Sequence, residues 1–350
     1  MSSTQLLAVA IFPILGGISA SGTLLTSRLN GTLDLLGVTS ILDPRLFARF
    51  FTPILDRANV ALNLQGVHFL GGWMSAWILI LMDSFREPPA AHNLSRKAVV
   101  LLGVLMELTG VANMMPVWAG LSIYQSYAQP QPLGAISSAN ADALPWALVA
   151  GTLIPTLLMR FLPAEDAPGL LLSKSTWIYI RLFHPVLTMA AHRLFKTLRS
   201  EQVPLHSSSS SSSSSSRTKR LYDIAFWTGA LPHMLTMGVM AAVQVFPRAF
   251  SGRIAAMLAP QMVWPLAAPW PAHITKAQTA QAGIGMFLVW DELIASATIL
   301  AWALIVNGQT RGSSGAASPV RTLGKAIVQT VLFGPSAAAV SLIRDNEGKK

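Results

Sequence analysis

Apolar residues in this chain are gathered into long runs separated by short polar stretches, rather than spread at the spacing of a half-buried helix. A helix rising about 1.5 Å per residue needs roughly 20 mostly apolar residues to cross a hydrocarbon core about 30 Å thick. Runs of this kind occupy 6–25, 66–82, 98–124, 143–161, 175–192, 222–246, 281–306 and 322–343. They predict an all-α protein, a polytopic membrane helical bundle with about eight transmembrane helices, in which residues 1–350 form a single transmembrane domain. Pro116, Pro155, Pro185, Pro232 and Pro335 interrupt several runs. Such breaks are tolerated where neighbouring helices or cavity waters satisfy the freed carbonyls. Gly283, Gly285 and Ala295 leave room for close helix approach.

Three stretches depart from this pattern. Residues 45–65 repeat Arg45, Arg49 and Arg57 within apolar surroundings, which predicts an amphipathic helix lying in the membrane interface. Residues 257–276 hold Pro260, Pro265, Pro269 and Pro271 with Trp264 and Trp270, a composition that suits a broken, re-entrant or interfacial piece. Residues 200–220 carry the run Ser207–Ser216, and Arg193, Lys196, Arg199, Arg217, Lys219 and Arg220 flank it. Poly-Ser reads as a flexible solvated loop, and its basic flanks mark it as cytoplasmic. Counting spans outward from it places both termini on the lumenal side. The loop 83–97, with Arg86, Arg96 and Lys97, then falls on the lumenal side against the charge rule. Asn93-Leu94-Ser95 is a glycosylation acceptor there.

Composition supports a membrane body. Only 11% of the residues are charged, against about 25% in soluble domains. The net charge of +10 comes from 25 Lys and Arg dispersed through short loops, a membrane-topology signature rather than a nucleic-acid footprint. The chain has no Cys, which excludes disulfides, thiolate metal sites and cysteine nucleophiles. No basic residue precedes Arg28, so 6–25 is expected to be a retained span rather than a cleaved signal.

Ionisable groups inside apolar spans are costly and therefore informative. Glu107, Asp291 and Glu292 are the candidates, with Asp223 nearer an edge. Glu107 and Asp291 each lie about 14–15 Å into their runs, near the midplane. Those runs are the third and the seventh, which places the two acids at similar depth. Asp291 and Glu292 point about 100° apart on a helix. Asp291 shares a face with Phe287, Thr298 and Trp302, and Glu292 with Gly285, Leu288 and Ser296; the aromatic face favours Asp291. Glu107 shares its face with Gly103, Gly110, Met114 and Trp118. A carboxyl group in an apolar cavity keeps its proton at neutral pH and can deliver it. Alternatively these acids pair with Asn113, Gln244 or a histidine and only lock helices together. His68, His184 and His233 read more readily as helix–helix hydrogen-bond partners than as catalysts, and no spacing suggests a metal site.

The chain has ten tryptophans. Trp73, Trp146, Trp177 and Trp270 fall near predicted span ends, as an aromatic belt would place them. Trp118, Trp227, Trp290 and Trp302 lie deeper or share spans with the acids, where aromatic faces can stabilise a carbocation. No Asp-rich diphosphate-binding array, phosphate loop, dinucleotide fingerprint, nucleophile elbow or zinc-protease motif is present.

With the segments VLMELTGVANMMPVW (104–118) and LVWDELIASATILAW (288–302), the chain resembles the fungal integral-membrane terpene cyclases of meroterpenoid and indole-diterpene pathways. The resemblance implies protonation-initiated cyclisation of a polyprenyl chain, often an epoxide, in secondary metabolism. It implies an isomerase or lyase in the endoplasmic reticulum membrane that uses no metal or redox cofactor. Glu107 and Asp291, with Glu292 beside it, would be the acids, and Trp118, Trp290, Trp302 and Asn113 would line the substrate cavity. The expected partners are a lipophilic small molecule and the lipid bilayer, with no nucleic acid. Midplane acids and Pro-broken helices equally suit a proton-coupled or facilitative transporter of a small lipophilic metabolite. A third reading is a membrane scaffold that positions soluble pathway enzymes; other membrane pathway enzymes are further candidate partners.

Overall fold

The computed structural model describes residues 3–20, 23, 26–38, 43, 45–56, 58–87, 94–128, 134–162, 173–200, 211–265, 277, 279–311 and 319–347. The architecture is helical throughout: α1 (Ser3–Ala20), α2 (Arg45–Leu55), α3 (Val60–Ser84), α4 (Arg96–Thr109), α5 (Val111–Ala128), α6 (Ser138–Leu148), α7 (Ile154–Phe161), α8 (Lys174–Leu182), α9 (His184–Ser200), α10 (Ser211–Val245), α11 (Ala280–Arg311), α12 (Pro319–Phe333) and α13 (Pro335–Glu347). Among the described residues, a short antiparallel strand pair sets Arg86 opposite Ile136 and Glu87 opposite Ala135.

Among the described residues, four helical stretches are long and apolar enough to cross a membrane: Val60–Ser84, Ser138–Phe161, Ser215–Val245 and Ala280–Gln309. They correspond to the apolar runs beginning at 66, 143, 222 and 281. The other four runs take different forms. The first run is helical to Ala20. The run 98–124 breaks at Gly110, whose φ of 101° is open to glycine and strained for other residues. The run 175–192 breaks at Phe183 into α8 and α9. The run 322–343 breaks at Gly334, with φ 87°, and Pro335 then starts α13 because it needs no N–H partner in a first turn.

That last break reverses the chain. Gln329 Nε2 donates to Ser341 Oγ at 2.8 Å, and Lys325 pairs with Asp345. Helices α12 and α13 therefore run antiparallel, and 322–343 is a helical hairpin rather than one crossing helix. The two arms differ in surroundings. Residues 336–343 of α13 are buried throughout, whereas Val320, Ile327 and Val331 of α12 are exposed, the pattern of an inner arm covered by an outer one.

The chain folds as two compact units. One comprises Met1–Trp77, Thr109–Gly120 and Ala225–Lys350, the other Ile78–Leu108 and Leu121–Ile224. In the second unit, α6 and α7 form one continuous rod through a π-helical turn at Val149–Leu153. Helices α8 and α9 pack against that rod in the opposite direction. Arg181 Nε donates to Thr156 Oγ1 at 3.2 Å, and Lys196 Nζ to Asn140 Oδ1 at 3.0 Å. Gly151, inside the π turn, lets α9 lie on the rod, since a Cβ there would fall 2.5 Å from Thr188 Cα.

Two sequence expectations change in extent. The interfacial helix expected over 45–65 is α2 alone, ending at Leu55, and α3 begins at Val60. It is docked rather than isolated: Phe50 meets Phe287 edge-on at 5.2 Å, and Arg49 donates to the carbonyl of Gly37 at 2.7 Å. Of the expected loop 200–220, residues 211–220 are the first turns of α10. Arg217 there pairs with Asp142, so the apolar helix continues into its basic flank. Residues 201–210, Asn93 and Trp270 lie outside the described residues.

Candidate functional site

In the first unit, helix α11 carries adjacent acids that meet different breaks in the fold. Asp291 turns to the start of α5, where the break at Gly110 frees backbone N–H groups. Its Oδ1 accepts from Ala112 N at 2.6 Å and its Oδ2 from Val111 N at 3.2 Å. The carboxyl group is buried at 2% exposure and replaces the carbonyls that an unbroken helix would have supplied. A Cβ on Gly110 would sit 3.1 Å from Asp291 Oδ1; glycine serves both the turn and the approach of the acid. Asn113, one turn further, takes the hydroxyl of Ser19 at 2.8 Å and donates to the carbonyl of Thr109 at 2.5 Å, which ties α1 to α5.

Glu292 points another way. Its Oε1 pairs with Nδ1 of His68 on α3. The Nε2 of His68 lies 2.9 Å from Nδ1 of His233 on α10, and Nε2 of His233 donates to the carbonyl of Val331 at 3.2 Å. Small residues place this file of groups. Gly71, one turn after His68, faces Pro232, whose Cβ would lie 2.7 Å from an added Cβ, so α3 and α10 nearly touch. Gly334 at the hairpin tip lies under the His233 ring, with Cγ 3.0 Å from an added Cβ. Trp264 meets the His68 ring edge-on at 5.4 Å.

Glu292 also lines a narrow cavity enclosed by α3, α5, α11 and the start of α13. Its wall is mostly apolar: Phe69, Trp73, Val111 and Met115, with Ser296 and Ser336 beside the acid. It has room for roughly one water molecule.

The remaining residues singled out from the sequence lie elsewhere. Trp118 and Trp302 are fully buried and pack on each other at 4.9 Å, tilted by 49°. They and the half-buried Trp290 are not on the cavity wall, where Phe69 and Trp73 are the aromatics. Glu107 belongs to the second unit. Its Oε1 forms an ion pair with Arg181 Nη1 at 2.8 Å and accepts from His184 Nε2 at 2.9 Å. His184 Nδ1 is 3.2 Å from the Thr152 hydroxyl, which is 2.9 Å from that of Thr188. The partners of each acid come from its own unit.

Sequence reasoning gave the histidines little weight and passed over Arg181. An arginine inside STWIYIRLFHP was itself a signal, because a cation within an apolar run requires an acidic partner. The linkage of His68 to His233 had a weaker trace, in the Gly71-Gly72 pair after one and Pro232 before the other.

Comparison with known proteins accounts for nearly the whole chain. It is 26% identical over 305 residues to terpene cyclase ctvD of Aspergillus terreus, covering 84% of this chain and 79% of that protein. It is 24% identical over 302 residues to terpene cyclase penA of Penicillium crustosum, with 84% and 77% covered. It is 24% identical over 311 residues to terpene cyclase atmA of Aspergillus flavus, with 85% and 79% covered. No solved structure matches it significantly. The CtvD domain model matches residues 12–347, and the chain belongs to that family.

Proposed function

We propose that this protein is a membrane-bound terpene cyclase in which Glu292 donates the proton that starts cyclisation of a polyprenyl chain. The observation that carries this reading is a partly buried carboxyl group, paired to a histidine, on the wall of an apolar cavity with two aromatic side chains. The names of the similar proteins support the same reaction class.

The chemistry requires little else from the protein. The O–H bond of Glu292 breaks as its proton passes to a terminal alkene or epoxide oxygen; with an epoxide, a C–O bond opens. The resulting cation is captured by successive double bonds, and loss of one proton from the final cation makes the product an isomer of the substrate. Phe69 and Trp73 present faces that attract the travelling positive charge. An apolar wall keeps out the water that would quench it. A polyprenyl chain is larger than the cavity, so the wall must part to admit it. Asp291 and Glu107, each held by strong donors, maintain the framework.

Membranes carrying the protein, given linear polyprenylated aromatic epoxides, should yield a cyclic isomer of unchanged mass. Glu292→Gln should lower the rate by about 10²–10⁴-fold, the usual contribution of a general acid. Wild-type rates for Glu292→Gln would overturn the assignment. Absence of conversion by folded wild type, together with gradient-dependent vesicle uptake of the same compounds, would favour the transport of a lipophilic metabolite. Broken helices also suit that activity.

A further inference from the structure

We infer that the tip of the α12–α13 hairpin, acting through His233 and His68, pins one transferable proton at Glu292. The inference rests on the cyclase reading for its purpose, but its geometry stands independently.

Hydrogen-bond direction makes the argument. The carbonyl of Val331 can only accept, so the proton in its contact with His233 belongs to Nε2 of His233. A neutral His233 then has a bare Nδ1, which must accept from Nε2 of His68, 2.9 Å away. With its proton on Nε2, a neutral His68 presents a bare Nδ1 to Glu292. A bare nitrogen and a carboxylate repel each other, so a further proton occupies that contact, either on the carboxyl oxygen or on the imidazole. Among the described residues, no Lys or Arg pairs with Glu292 to take its place.

The anchor is set by the fold. The carbonyl of Val331 is unpaired by helix geometry because it lies in the last turn of α12, at the negative end of that helix. The reversal at Gly334 brings it against His233. Backbone carbonyls do not carry protons onward, so the file ends there and acts as a lock rather than a wire. His68 and His233 are positioning residues: they fix tautomers and keep one proton at the contact between His68 and Glu292. The charged groups that act on His233 are His68 and Glu292, and Asp291 is turned to the start of α5.

Glutamine at 233 can still donate to Val331 and accept from His68 without titrating, whereas leucine can do neither. Without the anchor, His68 can shift its proton to Nδ1 and hold Glu292 as a carboxylate with nothing to deliver. Full-length protein in detergent should therefore show His233→Gln cyclising at near the wild-type rate. His233→Leu should fall about tenfold or more at neutral pH and recover as pH is lowered, a response a merely structural loss would not give. A loss in His233→Gln as deep as in His233→Leu, or a His233→Leu profile unmoved along the pH axis, would overturn the lock. ¹⁵N-histidine NMR of wild type gives a readout free of activity: His233 should be protonated at Nε2 and bare at Nδ1. The opposite tautomer would overturn the inference whether or not the protein cyclises anything. The expected tautomer in a protein that converts no substrate would overturn the cyclase reading alone.

Discussion

Glu107 and Glu292 are both largely withdrawn from solvent, with side chains 6% and 12% exposed, and each meets a histidine, but they close their hydrogen-bond accounts differently. Glu107 is matched by Arg181 at 2.8 Å, and its histidine can be neutral: His184 donates from Nε2 while Nδ1 accepts from the Thr152 hydroxyl. The charge of Glu107 is balanced without an extra proton. Glu292 faces a histidine whose tautomer is dictated from a backbone carbonyl, and that contact is incomplete until a proton is added. Same residue types, different terminal partners: a hydroxyl adapts, while a carbonyl dictates. The first arrangement is a joint between helices and the second a store for one proton. An acid enclosed among apolar helices is therefore read from the far end of its hydrogen-bond chain.

This contrast can be broken most directly at Arg181. Removing the cation by Arg181→Met leaves Glu107 as an uncompensated buried charge, which costs about 3–5 kcal/mol. Unfolding in detergent should register that loss, and Glu107→Gln should register a comparable one. In the double variant the losses should be far from additive, because neither charge is then stranded. Turnover per folded molecule should be unchanged in all three. A stable Glu107→Gln protein that has lost cyclisation would move the acid to the second unit and remove the basis of the comparison.

A smaller effect is expected where the file of histidines is built. Gly71→Ala adds a methyl against Pro232 and should cost about 1–3 kcal/mol through overpacking. It should also slow cyclisation, since α3 carries His68 away from His233. Gly238→Ala, on the same α10 but with open space at its Cβ, should be neutral or slightly stabilising. Equal behaviour of the two alanines would show that close approach at Gly71 does not position the site.

Much of this was legible in the sequence, and its gaps have physical causes. Four of the apolar runs, two of them despite Pro155 and Pro232, became the four long helical stretches, because backbone satisfaction inside one helix is decided locally. The runs containing Gly110, Phe183 and Gly334 are each broken in the structure, and the one containing Gly334 turns back on itself. At Gly110 the break is stabilised by a distant group, Asp291, that no local pattern displays. The acid doublet was found from its cost in an apolar run. The choice of Asp291 over Glu292 rested on aromatic neighbours along one helix, whereas the cavity aromatics, Phe69 and Trp73, come from α3. Residues on another helix cannot be read from the periodicity of this one.

The doublet itself gives the finest test, because its members differ by one position and are assigned opposite duties. Asp291→Asn keeps one acceptor for the N–H groups at the start of α5 and loses the negative charge at that helix end. The expected cost is about 1 kcal/mol, the scale of a helix N-terminal cap, seen as a small shift in unfolding with the cyclisation rate and its pH profile unchanged. Asp291→Leu strands both buried N–H groups and should be markedly less stable than Asp291→Asn. Restoring an acceptor thus matters at 291, while at 292 only a proton donor of the right acidity serves, and Gln, which is similar in shape, should fail. If Asp291→Asn were instead as stable as wild type and inactive, the cap would be dispensable and Asp291 would be the acid that the substrate meets.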